Sequence, residues 1–284
     1  MKEGFLIGGG LVVAGLLLEL SVGPVVWDAF AWPVNGIVLA LFVAIIVGIH
    51  LLRGKVYAFH FLSTYLAAVP VMCYAVVLTV VMGLTRQTVN GQWINNMLTF
   101  WPFVLTYVYM ALIVGLVVLK SGFRLKSPTK IVAALFHLGL FITMTTATLG
   151  NADMQRLKMI TAIGEPEWRA LDQQGHVKEL ALAIELKQFI MDTYDDGSPK
   201  RFASEIEILT KKGEQFLTTV DVNKPAEVDG WKIYQYGYDT SMGARSNTSI
   251  LELVSDPWLP YVYGGIYMML AGGLLMMITG ARKR

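Results

Sequence analysis

Four histidines and a single cysteine are the side chains of this sequence best suited to holding a metal or moving a proton, and their settings differ. His137 comes seven residues after Lys130, among Leu135, Phe136, Leu138 and Leu140. At 1.5 Å per residue this is about 10 Å along a helix that enters a membrane near Lys130. An ionisable group at such depth is a functional hypothesis by default. A neutral imidazole there can ligate haem iron while apolar neighbours enclose the porphyrin. The competing reading is an imidazole bonded to a backbone carbonyl of a neighbouring helix. His50 and His60 flank a loop carrying Arg53 and Lys55 and read as interfacial polar residues. His176, after Gln173-Gln174-Gly175, reads as a solvated loop residue. Cys73 lies in an apolar run and reads as a small core residue. With no second cysteine, the chain alone supports neither dithiol exchange nor a cysteine-based zinc or iron–sulfur site. Glu19, late in the first apolar run, receives no role.

Motifs for group transfer are absent. There is no phosphate-binding GxxxxGK[ST] loop, no HExxH and no GxSxG. Gly8-Gly9-Gly10 falls inside the first apolar segment rather than after a strand, so it is not a nucleotide loop. Acidic residues of the polar segment alternate with apolar ones, as on solvated strand faces, and no catalytic residue is expected. The net charge of +2, without basic patches interleaved with aromatics, argues against nucleic acid as a partner.

These side chains must be positioned by membrane helices. Hydrophobic residues are 55% of 284 and charged residues 15%, a balance typical of membrane proteins. Charge is sparse over 1–150, dense over 151–257, and returns only in the last three residues. Six segments, about 5–22, 35–52, 60–84, 101–119, 131–149 and 259–280, are long enough to cross a hydrocarbon core of about 30 Å. Pro70 inside the third implies a kink that neighbours or water must accommodate. Gly4–Val22 runs into Gly23-Pro24 without a cleavage pattern and reads as a retained helix.

Orientation follows from basic residues in the short loops. With the N-terminus inside, the inner stretches hold Lys2, Arg53, Lys55, Lys120, Arg124, Lys126, Lys130, Arg282, Lys283 and Arg284, whereas the two short outer loops hold only Arg86. Both termini are therefore expected in the cytoplasm and 151–257 in the periplasm. Trp27, Trp32, Trp93, Trp101 and Trp258 then fall near the outer boundary, where amphipathic rings prefer to sit.

The outer segment opens with a helix-compatible linker over 151–175 and then turns to short alternating runs. Leu180, Leu182, Ile184 and Leu186 alternate with Ala181, Ala183, Glu185 and Lys187. Further runs are 202–208, Phe216–Val222, Trp231–Tyr238 and Ser249–Val254, with turn signals at Asp196-Gly197, Lys212-Gly213 and Asp229-Gly230. The expected architecture is a membrane α-helical bundle of about six transmembrane helices with an inserted periplasmic antiparallel β-domain. Its expected divisions are helices 1–3 over 1–95, helices 4–5 over 96–150, the β-rich domain over 151–257, and a last helix and tail over 258–284.

Four motifs in order over about 95–284 resemble the ResB/CcsB family of System II cytochrome c biogenesis. The run Phe136-His137-Leu138-Gly139-Leu140, in a helix ending at Gly150, resembles that family's third core helix. Leu186-Lys187-Gln188-Phe189 with the run from Asp195 to Ser204 resembles its strand pair. Val222-Asn223-Lys224-Pro225 and the stretch Gly230 to Gln235 are similar to its VNxP and GxxIYQ signatures, and Asp256-Pro257-Trp258 leads into a Gly-rich last helix. The family usually has four core helices, and the extra N-terminal pair here resembles a Bacteroidota arrangement. Nothing matches the tryptophan-rich motif of the partner half, CcsA, which implies that CcsA is a separate polypeptide.

The resemblance implies a non-catalytic or co-catalytic subunit of a holocytochrome c synthase. Such an assembly takes haem b from the cytoplasmic side, moves it outward and presents it to CxxCH apocytochromes. It implies His137 as a ligand of the inner haem site, and Lys126 and Lys130 are placed to attract the propionates. Implied partners are CcsA, apocytochrome c, membrane lipid and a thiol-reducing thioredoxin-like protein. The alternative is a haem-bearing or structural subunit of a respiratory complex, which would call for histidines paired across helices.

Overall fold

A computed structural model describes residues 1–88, 91–122 and 128–281. The chain forms two compact units, one of Met1–Asp153 with Trp258–Arg284 and one of Met154–Pro257.

The first unit holds helices α1 (Lys2–Val22), α2 (Val34–Leu52), α3 (Tyr57–Leu62), α4 (Tyr65–Leu84), α5 (Trp101–Gly122), α6 (Pro128–Gly150) and α7 (Leu259–Ala281). All but α3 are long and apolar enough to span a membrane, so the expected six segments are present. The third differs in one respect. It is broken at Ser63-Thr64, where Ser63 Oγ donates to Phe59 O (3.2 Å) and Thr64 Oγ1 to Phe61 O (2.7 Å). Hydroxyls that compete for helical carbonyls in this way favour a helix end. Pro70 lies within α4, and α1 accommodates it. A methyl group at Gly4 would sit 2.6 Å from the Pro70 ring and would also meet Leu66 O, the carbonyl that a proline at position 70 leaves without its helical donor.

Helix α5 is central, packed against α1, α2, α4 and α6, and α7 packs chiefly on α6. The α6–α7 seam is built from small residues. A Cβ on Gly139 would lie 2.6 Å from Gly265 O, and one on Gly272 2.7 Å from Phe136 N. Lipid tails are as apolar as leucine, so close backbone approach supplies the packing that hydrophobic burial cannot. For the same reason Cys73, expected in the core, is exposed on α4. An apolar run in a bilayer does not distinguish the lipid face from the bundle face.

The second unit is one eight-stranded antiparallel sheet of β1 (Gln155–Ala162), β2 (Glu167–Leu171), β3 (Val177–Thr193), β4 (Pro199–Thr210), β5 (Gln215–Asp221), β6 (Ala226–Val228), β7 (Trp231–Tyr238) and β8 (Thr248–Ser255). Its order is β5-β4-β3-β2-β1-β8-β7-β6. The expectation of a helix-compatible linker over 151–175 is therefore corrected: the segment holds β1 and β2. Leu157, Met159 and Thr161 point inward and Arg156, Lys158 and Ile160 outward, a period of two. The other expected strands are present. Asp229 (φ 48°) and Gly230 (φ 81°) form a two-residue hairpin between β6 and β7, where both φ must be positive. In β3 a bulge near Lys187 flips the buried parity, so Leu186 and Phe189 both face inward.

The sheet curls on itself. Ser204 on β4 bonds Ser249 on β8 at 2.8 Å although three strands separate them in the sheet. Gln235 Nε2 donates to the same Ser249 Oγ at 2.9 Å, and Thr161 Oγ1 to Ser249 O at 3.1 Å. This buried network lies beside an apolar core that includes Ile184, Ile206, Ile208, Leu251 and Leu253. Ser204 and Gln235 close two of the motifs on which the resemblance rested, so those motifs carry packing.

Candidate functional site

Helix α6 places His137 on one face with Phe141 and Met144, at i+4 and i+7. That face turns toward α5 and α2. The Phe141 ring lies nearly parallel to that of Phe42 (centroids 6.3 Å apart, 11° between planes), and Met144 O accepts a hydrogen bond from Tyr107 Oη at 3.1 Å. Phe136 and Gly139, on the adjacent face, meet α7.

His137 is half-buried, with the Phe136 ring edge-on to it at 5.6 Å. Its Nδ1 lies 2.6 Å from Ala133 O, one turn earlier in the same helix. The carbonyl partner expected under the competing reading thus exists, but on α6 itself. A carbonyl can only accept, so Nδ1 carries a proton, and in the neutral tautomer Nε2 presents the lone pair. Metal-ligating histidines are commonly oriented in this way, with the second nitrogen donating to a carbonyl. The bond therefore leaves ligation open.

Lys130 is exposed in the first turn of α6. Seven residues are almost two turns, so Lys130 and His137 project from nearly the same face, about 10 Å apart along the axis. Lys126 lies outside the described residues. His50 is buried and its Nδ1 is 3.1 Å from Arg53 Nη1. A guanidinium only donates, so this Nδ1 accepts, the opposite arrangement to His137. His60 is exposed on α3. His176 is exposed in the turn after β2, with its backbone N–H on Asp172 Oδ1 at 2.8 Å. Among the described residues no group of three His, Cys, Asp or Glu side chains could hold a metal ion.

Two clefts open in the same unit. One of about 210 Å³ is walled by Trp27, Phe30, Phe42, Trp101 and Met144 among others. The second, of about 240 Å³, shares Trp27, Tyr107 and Thr148 with it. His137 lines neither.

Two polar side chains without a sequence-based role prove to be structural. Asp153 accepts from Trp32 N (2.7 Å), Asn35 Nδ2 (2.7 Å) and Trp258 Nε1 (2.6 Å). Fully buried Asn35 also donates to Leu149 O at 3.2 Å. This clasp ties the start of α2 to the end of α6 and the start of α7. Its only signal in the sequence was a carboxylate directly after an apolar helix. Glu19 accepts from Trp101 N at 3.2 Å and so caps α5 from α1.

Residues 129–249 match the family model described as the ResB-like family. Curated relatives include two proteins named cytochrome c biogenesis protein CcsB. One, from Prochlorococcus marinus subsp. pastoris, is 27% identical over 52% of this chain and 33% of its own length. The other, from P. marinus strain NATL1A, is 26% identical over 43% of this chain and 28% of its own. The chain thus spans about a third or less of the curated relatives it matches. Among solved structures, a cytochrome c haem lyase CcmF chain aligns with 80% of this chain and 41% of its own, at TM-score 0.36 and 15% identity. The resemblance to the ResB/CcsB family, drawn from motifs, is thus supported by the family model and by named relatives.

Proposed function

We propose that this chain, whose residues 129–249 are ResB-like, is a cytochrome c biogenesis protein. In this reading it is a subunit of the System II cytochrome c synthase, helping to move haem b across the inner membrane and, with CcsA, to present it to CxxCH apocytochromes. The observation that carries it is the family match, which takes in the His137 helix and the β-domain together and agrees with relatives named for that process.

In this reading haem is cargo, and the chain's own residues hold and orient it. With Ala133 O holding the Nδ1 proton, His137 Nε2 would be the atom that binds haem iron from this half, and CcsA would supply the other ligand. Phe136 and the neighbouring leucines keep water from the iron, and Lys130, with Lys126, draws the propionates toward the basic end of α6. The β-domain serves as a docking platform rather than a catalyst. The proposed orientation has both termini in the cytoplasm and 151–257 in the periplasm.

The test is the visible spectrum of the purified chain with and without CcsA, beside haem staining of c-type cytochromes in a strain lacking the chain. The expected result is a haem b Soret band that depends on CcsA, and loss of all c-type cytochromes in the deletion. Normal c-type cytochromes in the deletion strain would overturn the reading.

A further inference from the structure

The eight-stranded sheet has two edges, and they are unequally guarded. Edge strand β6 has three residues, follows Pro225 and carries Glu227 paired with Lys232 at 3.2 Å. Short length, proline and charge are the usual means of blocking a sheet edge. Edge strand β5 is longer and less guarded. It has seven residues, Gln215-Phe216-Leu217-Thr218-Thr219-Val220-Asp221, with no proline and no Lys or Arg. It pairs with β4 in unbroken register from Ala203↔Asp221 to Leu209↔Gln215, so no bulge turns the edge away. Its only charge, Asp221, is held by Arg201 at 2.7 Å.

Every second residue of such a strand turns its N–H and C=O away from its one neighbour. Beyond the β4 ladder, and among the described residues, the β5 main chain bonds only at its end, where Asp221 N donates to Lys224 O at 3.1 Å and Lys224 N to Asp221 O at 3.4 Å. There the curled sheet nearly closes, and Val220 is fully buried. Toward Gln215 the three-residue β6 is too short to follow. Phe216, opposite the fully buried Ile208, is 36% exposed although it faces the core side. Among the described residues, the outer main chain of β5 is therefore unpaired only toward Gln215, where the Phe216 ring lies uncovered.

We propose that the free edge of β5 receives an extended segment of apocytochrome polypeptide as an added strand, which covers Phe216. The proposal rests on the cytochrome c assembly reading above. Two features favour this occupant. Attachment of haem to CxxCH cysteines needs the segment unfolded, and an extended chain is the only partner that satisfies a row of strand amides and carbonyls at once. Main-chain pairing is also indifferent to side chains, and an edge without free charge does not select by sign. One site can therefore serve apocytochromes of different sequence.

The experiment measures binding of a fluorescent synthetic peptide carrying a CxxCH motif to the full chain in nanodiscs. A second peptide of the same sequence is N-methylated at alternate residues along one edge. Methylation removes the donors of that edge and leaves the side chains intact, so no protein variant is needed. The expected result is saturable binding that falls by about tenfold or more on methylation. Phe216→Lys should weaken binding similarly, whereas Leu217→Lys, on the opposite face, should change it by less than about twofold. Equal binding of both peptides, no binding of either, or pairing of two copies of the chain through β5 would overturn the proposal. If deletion of the chain abolishes c-type cytochromes but the peptides do not distinguish the edge, docking at β5 fails and the assembly reading stands. If deletion leaves them intact, that reading fails first.

Discussion

At the scale of single residues, His137 and Asp153 illustrate two uses of a polar group in an apolar setting. The His137 Nδ1–Ala133 bond satisfies one ring nitrogen within the helix, so that bond ties the imidazole to no other helix. His137→Ala is therefore expected to abolish c-type cytochrome maturation while the chain remains inserted and assembled with CcsA, with partial recovery of haem binding on adding imidazole. Normal maturation at unchanged abundance would make His137 a packing residue. Asp153 is the opposite case. Asp153→Ala removes the carboxylate that accepts from Asn35 and Trp258, at a cost of about 1–3 kcal/mol for the buried Asn35 donor. The expected outcome is a lower melting temperature in detergent with haem binding per folded molecule unchanged, and an unchanged melting temperature would exclude the clasp. The His137 setting was legible from its depth among leucines, whereas the Asp153 clasp joins residues more than a hundred positions apart.

At the scale of elements, the α6–α7 seam makes the sharpest prediction. Gly139→Leu would drive its Cβ to 2.6 Å from Gly265 O and 2.7 Å from Met269 N, backbone atoms that cannot rotate away. Gly264→Leu meets nothing within 4 Å. The first change should strongly reduce the amount of folded chain in membranes and the second should not, as read by quantitative immunoblot and protease sensitivity. Equal levels would mean that the helices do not approach through glycine. The β-strands were readable wherever the alternation was strict, as in Leu182, Ile184 and Leu186. Strands β1 and β2 are hidden in the sequence because their outward positions include Ile160 and Trp168, which blur the period of two.

At the scale of the whole molecule, orientation and pH response can be tested together. With Cys73 replaced, a cysteine at exposed Ser198 should react with an impermeant maleimide in cells whose outer membrane alone is permeable. Reaction only after the inner membrane is opened would reverse the topology. In the β-domain, hydrogen bonding from Arg169 lowers Glu167 from 4.5 to about 2, the Arg201 guanidinium lowers Asp221, and the His176 backbone N–H lowers Asp172. A carboxylate depressed on folding contributes stability above its unfolded pKa and loses it as pH falls through its folded value. Stability of the domain should thus hold from neutrality to about pH 4.5 and decline toward pH 2, with high salt weakening the effect because these pairs are exposed. Tryptophan fluorescence against pH at two salt concentrations would show no such decline if the pairs are not formed in solution.

The sequence by itself determined the six apolar segments, the polar insert between the fifth and sixth, the hairpin turns at Asp-Gly and Lys-Gly, and the place of His137 along its helix. Each is a local property, set by run length, periodicity or the φ preference of glycine. Only the tertiary structure decided what those elements face. It turned Cys73 outward, since a bilayer leaves the outer side of a helix as apolar as the inner. It gave Glu19 a helix end to cap, and it curled the sheet so that Ser204 reaches Ser249 across the core. It also set a seven-residue edge opposite a three-residue one, and that mismatch follows from strand order, which no local pattern encodes.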